Sequence, residues 1–254
     1  MRIGFDAHIL APEHHKYHPE IAAYTRELLR HLVDAAPNDT FIVFLDARTP
    51  PSEVQEFTGR PNVEIRHFPF TQYRAYLPFF YAHMLVSGFL SAANLDVFHS
   101  PEGLIPYLYP GAIITTFHWI PLGTRGTNIF LQSWMLGARV GFKALCWKAA
   151  RILLRREGDK KLLCDVHQYP TSRAIVLHCE DLETVDWKKH TADVLAVYRE
   201  VVAESKGGWL SRLPRPRLPR IDAQRLVRGL PRLPRGASAK WGLRRAPRKS
   251  ASKP

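Results

Sequence analysis

The residues of this 254-residue chain that could do chemistry are mostly histidines beside acids and prolines. His14, His15 and His18 form an HHxxH run. His14 and His18 stand at i and i+4, the spacing that lets one helix face offer two imidazoles to a metal. The residues between them are His15, Lys16 and Tyr17, so the catalytic Glu of a zinc protease is lacking, and Pro19 follows at once. A solvated loop is the plainer reading, and no metal is expected. The same stretch, Asp6 to Glu20, joins the first predicted strand to the first predicted helix, where α/β folds hold phosphates on a helix N-terminus. It contains no glycine for close backbone approach, and Glu13 and Glu20 repel phosphate, so the loop by itself argues weakly for a nucleotide.

His99-Ser100-Pro101-Glu102 and His118 each follow a short apolar run. Placed at the carboxyl ends of parallel strands, they stand on the edge where such sheets bind ligands. A histidine there can polarise a sugar hydroxyl or a leaving group. The plainer alternative for both is a structural histidine, hydrogen-bonded at a strand end. The sequence has no GxSxG elbow, Walker lysine loop, GxGxxG turn or paired metal carboxylates, so nucleophilic hydrolysis and ATP chemistry find no support. Cys146, Cys164 and Cys179 are odd in number and widely spaced, which disfavours a disulfide scaffold and a zinc ribbon and suits a reducing compartment.

The elements that must position these residues follow from periodicity. Arg2–Asp6, Thr40–Leu45, Val63–Phe68, Asp96–Phe98 and Ile113–Phe117 read as buried strands. Pro19 suits a first helical turn, and Ile21, Tyr24, Leu28 and Leu32 then fall on one face. Residues 74–93 and Asn128–Arg155 read as helices, Leu162–Val166 and Ala174–His178 as further strands, and Trp187–Ala203 as a closing helix. Short apolar strands alternating with helices predict a doubly wound, parallel, Rossmann-like α/β sheet. Residues 75–95 carry no Asp, Glu, Lys or Arg. Pro78, His83, Ser87, Gly88, Ser91 and Asn94 make this a buried or interfacial helix rather than a spanning one. The first residues lack the apolar core of a signal peptide.

The charge is unevenly divided. Of 36 Lys+Arg and 23 Asp+Glu, 15 and one lie in residues 206–254, which leaves 21 and 22 in the body. The body is nearly neutral and the tail carries the basicity. Arg-Leu-Pro-Arg recurs at 212–215, 217–220 and 232–235. Frequent proline and self-repelling charge predict a disordered tail.

In series, several segments resemble the N-terminal half of GT-B fold glycosyltransferases of the family-4 kind. They are MRIGFDAHIL, YTRELLRHL, APNDTFIVFL, PNVEIRHFPF, NLDVFHSP and LIPYLYPGAIITTFHWIPL, in the expected order over about 1–125. DWKKHTADVLAVYREVV at 186–202 resembles the last helix of the same family, which crosses back onto the N-terminal domain. The chain departs from the pattern in lacking a glycine-rich turn before Tyr24. It has His118-Trp119 where the family has His-Asp. Only residues 156–185 stand where a donor-binding domain of on the order of 150 residues would be.

The resemblance implies transfer of a sugar from a nucleotide-sugar donor to an acceptor hydroxyl with retention, without metal or cofactor. The donor would be a substrate. His118 would sit near the transferred sugar as the catalytic-edge residue. The loop of His14, His15 and His18 would approach the donor phosphates, and His99 and Glu102 would line the acceptor cleft. The implied organisation is a Rossmann-like domain over 1–155, a remnant or junction over 156–185, a closing helix over 186–204 and the tail over 205–254. The chain then reads as a cytoplasmic, acceptor-side half of a hexosyltransferase of doubtful independent activity, taking a glycan or lipid-linked acceptor. The alternative is a non-catalytic α/β module. Its tail would hold nucleic acid, or an anionic membrane at whose inner face the chain would sit peripherally. Cutting the chain after Ser205 is expected to leave the melting transition unchanged and to abolish retention on DNA, RNA or anionic vesicles. Retention by the cut chain with the same salt dependence would contradict the charge division.

Overall fold

The computed structural model describes residues 1–16, 18–68, 77, 80–120 and 141–207, without the side chains of residues 15, 206 and 207. Seven strands form one all-parallel sheet: β1 Arg2–Asp6, β2 Thr40–Asp46, β3 Val63–Phe68, β4 Val97–Ser100, β5 Ile113–Phe117, β6 Arg151–Leu154 and β7 Ala174–Val176. Their order is β3-β2-β1-β4-β5-β6-β7. The chain winds outward from β1 to β3, returns to β4 on the other side of β1, and winds outward again. This is the Rossmann-like order, with its switch point between β1 and β4.

The helices are α1 Pro12–His15, α2 Pro19–Ala35, α3 Val86–Ser91, α4 over 141–148, α5 Glu157–His167 and α6 Trp187–Gly207. A 3-10 turn, His8–Leu10, and α1 occupy the stretch expected as a loop. Leu162–Val166, expected as a strand, lies inside α5. Glu157 and Asp159 suit its first turn, His167 its last, and Gln168 ends it at φ 53°. A short apolar run does not distinguish strand from buried helix. The expected helix Asn128–Arg155 is corrected likewise. Its part over 128–140 lies outside the described residues, α4 covers 141–148, and Arg151–Leu154 is the fully buried strand β6. α5 and β7 therefore continue the sheet beyond residue 155. The start of the helix expected over 74–93 also falls outside the described residues. Its later part is helical from 80 to 91, with a π-helical Tyr81–Leu85 leading into α3. Among the described residues no helix is long and apolar enough to cross a membrane. The disordered tail expected over 205–254 lies outside the described residues beyond 207.

Strand alternation sorts the core. Ile3, Phe5, Phe41, Val43, Leu45 and Val97 pack with Tyr24, Leu28 and Leu32 of α2 and with Val194, Tyr198 and Val201 of α6. On the opposite face Phe44 stacks on Phe68 at 5.3 Å and meets Phe89 and Phe98 edgewise at 5.9 and 6.2 Å. Gly4 lies under this aromatic layer. A Cβ there would meet the end of the Leu95 side chain and the rings of Phe44 and Phe98, so a larger residue would require this layer to shift.

The closing helix belongs to the core. Each large apolar side chain that α6 buries is worth about 1.5–3 kcal/mol before entropy. Polar contacts fix its register. Tyr198 Oη lies 2.5 Å from His99 Nδ1 in β4, and His190 Nε2 lies 3.1 Å from Tyr24 Oη in α2. At the other end of α6, Arg151 of β6 donates to Glu200 and Glu204 at 2.7 and 2.6 Å. Tyr198→Phe would strand one nitrogen of His99 in the core. The expected cost is about 1–3 kcal/mol, read as a lower urea midpoint with an unchanged slope. An unchanged midpoint would mean that α6 does not depend on this hydrogen bond.

Candidate site at the carboxyl edge of the sheet

Among the described residues, the carboxyl edge carries two acid–imidazole groups and a cleft. Asp6 closes β1 and is buried. It accepts from His8 Nδ1 at 2.6 Å and from Ser100 Oγ at 3.1 Å, and Ser100 Oγ accepts the Leu104 amide at 3.1 Å. The other ring nitrogen of His8 lies 2.7 Å from Glu102. Asp6 and Glu102 thus flank the His8 ring from its two nitrogens.

Asp46 closes β2 in the same way. It accepts from His14 Nε2 at 3.2 Å and from the Arg48 side chain at 3.0 Å through each oxygen, and Arg48 reaches Glu13 at 2.5 Å. Burial alone would raise the Asp46 carboxyl. The hydrogen bonds from His14 and Arg48 outweigh it and hold the group well below the usual carboxylate range. The rings of His8 and His14 meet edgewise at 5.7 Å, which joins the two groups.

His99 stands inside β4, not beyond its end, and is completely buried. Its two nitrogens are taken by Tyr198 and by Thr116 Oγ1 at 2.9 Å, one donating and the other accepting. Burial, with the nearby His190 and His118, pushes its pKa down to about 3. This is a neutral structural histidine that joins two strands to a helix. It lines no open cleft.

His118 immediately follows β5. Its Nε2–H donates to the Pro101 carbonyl at 2.8 Å, which fixes the tautomer and leaves Nδ1 as a lone-pair acceptor. Nδ1 is buried and, among the described residues, has no hydrogen-bond partner. Burial pushes the imidazole down to about 4, against the Pro101 hydrogen bond and with Arg155 adding to the effect. The ring lines an open cleft of ≈ 230 Å³ together with His18, Pro19, Glu20 and Ile21 at the start of α2, Trp119, and Arg155 and Arg156 before α5.

The edge thus brings His118 and His18 to one cleft, and His14 and Glu102 to the neighbouring acid–imidazole groups. The His15 side chain lies outside the described residues. Among the described residues no cluster of His, Cys, Asp and Glu has the makings of a metal site. Asp6, His8 and Asp46 went unremarked as site residues in the sequence, although an acid directly after an apolar strand is a usable signal. Arg155 and Arg156 gave none, because the strand before them was read as helix.

No family model matches the chain, and no curated protein matches it. Among solved structures it is similar to the crystal structure of a glycosyltransferase from Rickettsia africae ESF-5, at 13% identity and a TM-score of 0.40. That similarity covers 79% of this chain and 49% of the other, so the chain spans about half the length of that structure.

The depressed imidazoles set a pH dependence. His99 and His118 are neutral in the fold and protonate near 6.5 when unfolded. Their contribution is therefore fully present above about pH 6.5 and is lost progressively as pH falls toward about 3 for His99 and about 4 for His118. At pH 5 the unfolded chain's preference for protons should cost about 2 kcal/mol for each. Urea midpoints at pH 7.5 and 5.0 check this. Equal midpoints would contradict the buried neutral state.

Proposed function

We propose that the chain is the acceptor-side half of a retaining GT-B glycosyltransferase of the family-4 kind. It would hold an acceptor hydroxyl at the carboxyl edge while a donor-binding unit presents a nucleotide sugar. The resemblance in series over about 1–125 supports this reading. The observation that carries it is the buried, unpartnered Nδ1 of His118 beside an open cleft, at the edge where parallel sheets bind ligands. An acceptor left without a hydrogen bond is costly until a donor arrives, and a sugar hydroxyl entering the cleft is such a donor.

The protonation state decides the role. A general base works best with a pKa near the working pH, and His118 is held near 4. It is suited to orienting the nucleophile as a neutral hydrogen-bond acceptor rather than to removing its proton. The proton would leave toward the departing diphosphate, whose cationic supports belong to the donor-binding unit. The acceptor would be a glycan or a lipid-linked sugar, and the reading calls for no metal or cofactor.

The isolated chain is therefore expected to bind acceptor sugars weakly and to transfer none from common nucleotide-sugar donors. His118→Ala should weaken acceptor binding about tenfold, the worth of one hydrogen bond to a buried acceptor, while the melting transition stays cooperative. Micromolar affinity for a nucleotide sugar would overturn the acceptor-side assignment. So would acceptor binding that is indifferent to His118.

A further inference from the structure

The cleft beside His118 has a charge requirement that the acceptor reading does not use. Arg155 is only 9% exposed, and its guanidinium is always ionised. Its partners are the Cys179 thiol and backbone carbonyls: Nε donates to the Cys179 carbonyl at 2.8 Å, and a second nitrogen donates to that of Glu180. Neutral carbonyls satisfy hydrogen bonds but cancel no charge, and among the described residues no carboxylate pairs with Arg155. A buried cation without a counter-ion is costly. Arg156 is beside it, exposed, with its Nε 3.3 Å from the Glu180 carboxylate.

α2, of 17 residues, and α5, of 11, both begin at this cleft, and neither N-cap side chain, His18 or Arg156, caps its helix. The positive ends of two helix dipoles therefore add to the arginines, with Glu157 and Asp159 in the first turn of α5 offsetting part of the second. Glu20 is the single acid in the lining. Trp119 lies next to His118 with 63% of its surface exposed, a flat apolar face for the C–H surface of a pyranose. The volume of ≈ 230 Å³ suits one sugar unit rather than a dinucleotide.

We propose that this cleft is an anion subsite, built around Arg155, that takes the phosphate or carboxylate group of a charged sugar whose ring lies on Trp119. The sugar part rests on the acceptor-side reading, whereas the anion part stands on the charge arrangement alone.

Calorimetric titration of the full chain at fixed ionic strength tests it with glucose 6-phosphate, glucuronate, glucose and inorganic phosphate. The charged sugars are expected to bind at least about tenfold more tightly than glucose, and the better of the two identifies phosphate or carboxylate as the group recognised. Arg155→Gln should remove that advantage. Because Arg155 also ties β6 to the segment before α6, Glu20→Gln provides a surface variant that leaves the fold untouched. It should tighten both charged sugars severalfold and leave glucose unchanged. Trp119→Ala should weaken the sugars but not inorganic phosphate. Charged sugars that bind no better than glucose would overturn the subsite, as would anion binding indifferent to Glu20→Gln, the result expected if the basic tail held the anion. Inorganic phosphate that tightens in Glu20→Gln, with every sugar indifferent to Trp119→Ala, would keep the anion subsite and overturn the acceptor-side reading.

Discussion

The arrangement of the carboxyl edge depends on one buried contact, the imidazole of His99 held between Tyr198 of α6 and Thr116 of β5. It stands in the strand next to the switch point and ties three elements together in the driest part of the core. A neutral imidazole offers one donor and one acceptor, so it satisfies two hydroxyls only in a fixed orientation. Removing any member leaves a polar group unpaired in the core, which costs more than the bond itself contributes. The closing helix, despite its distance along the chain, is therefore set in register against the strands whose ends carry the site. His190 Nε2 of α6 also meets Tyr24 Oη of α2 at 3.1 Å, and the Tyr24 ring packs edgewise on His118 at 5.0 Å. The cleft-lining imidazole thus rests on a side chain that the closing helix holds.

The edge divides by charge. After β1, β2 and β4 the acids Asp6, Asp46 and Glu102 are each held by an imidazole, with Arg48 sharing Asp46. After β5 and β6 stand His118, Trp119, Arg155 and Arg156, with Glu20 as their acidic neighbour. In the first region each of these acids has an imidazole beside it, and Asp46 has Arg48 as well. The second sets Arg155, which has no carboxylate partner among the described residues, and Arg156, which pairs with Glu180, at an open cleft beside an exposed aromatic ring. Burial keeps His118 neutral, and Arg155 reinforces this, so the imidazole adds no charge of its own to the cleft at physiological pH.

Much of this was legible in the sequence. The five strands from Arg2 to Phe117 and helix α2 were marked by β-branched runs, by Pro19 and by a three-to-four spacing, all local signals. The place of His118 past a strand end followed from the same runs. His99 is expected just past a strand ending at Phe98, whereas β4 runs on to Ser100 and encloses it. Its burial depends on Tyr198, 99 residues away, and no local pattern records such a partner. Arg151–Leu154 falls inside the expected helix Asn128–Arg155, because a short apolar run does not by itself distinguish strand from buried helix. In the fold Arg151 is satisfied by Glu200 and Glu204 from α6. Once β6 was missed, the two arginines after it could not be placed at the edge.

Native-state amide hydrogen exchange most directly tests whether the closing helix and the sheet edge form one body. The amides of Val194, Tyr198 and Val201 in α6 would be compared with those of Phe98 and His99 in β4 and Ile114 in β5. If the buried imidazole contact fixes the edge, all six should open with the same free energy, that of global unfolding, and fall together in Tyr198→Phe. Exchange of the α6 amides at a distinctly lower free energy, with the strands still protected, would contradict it.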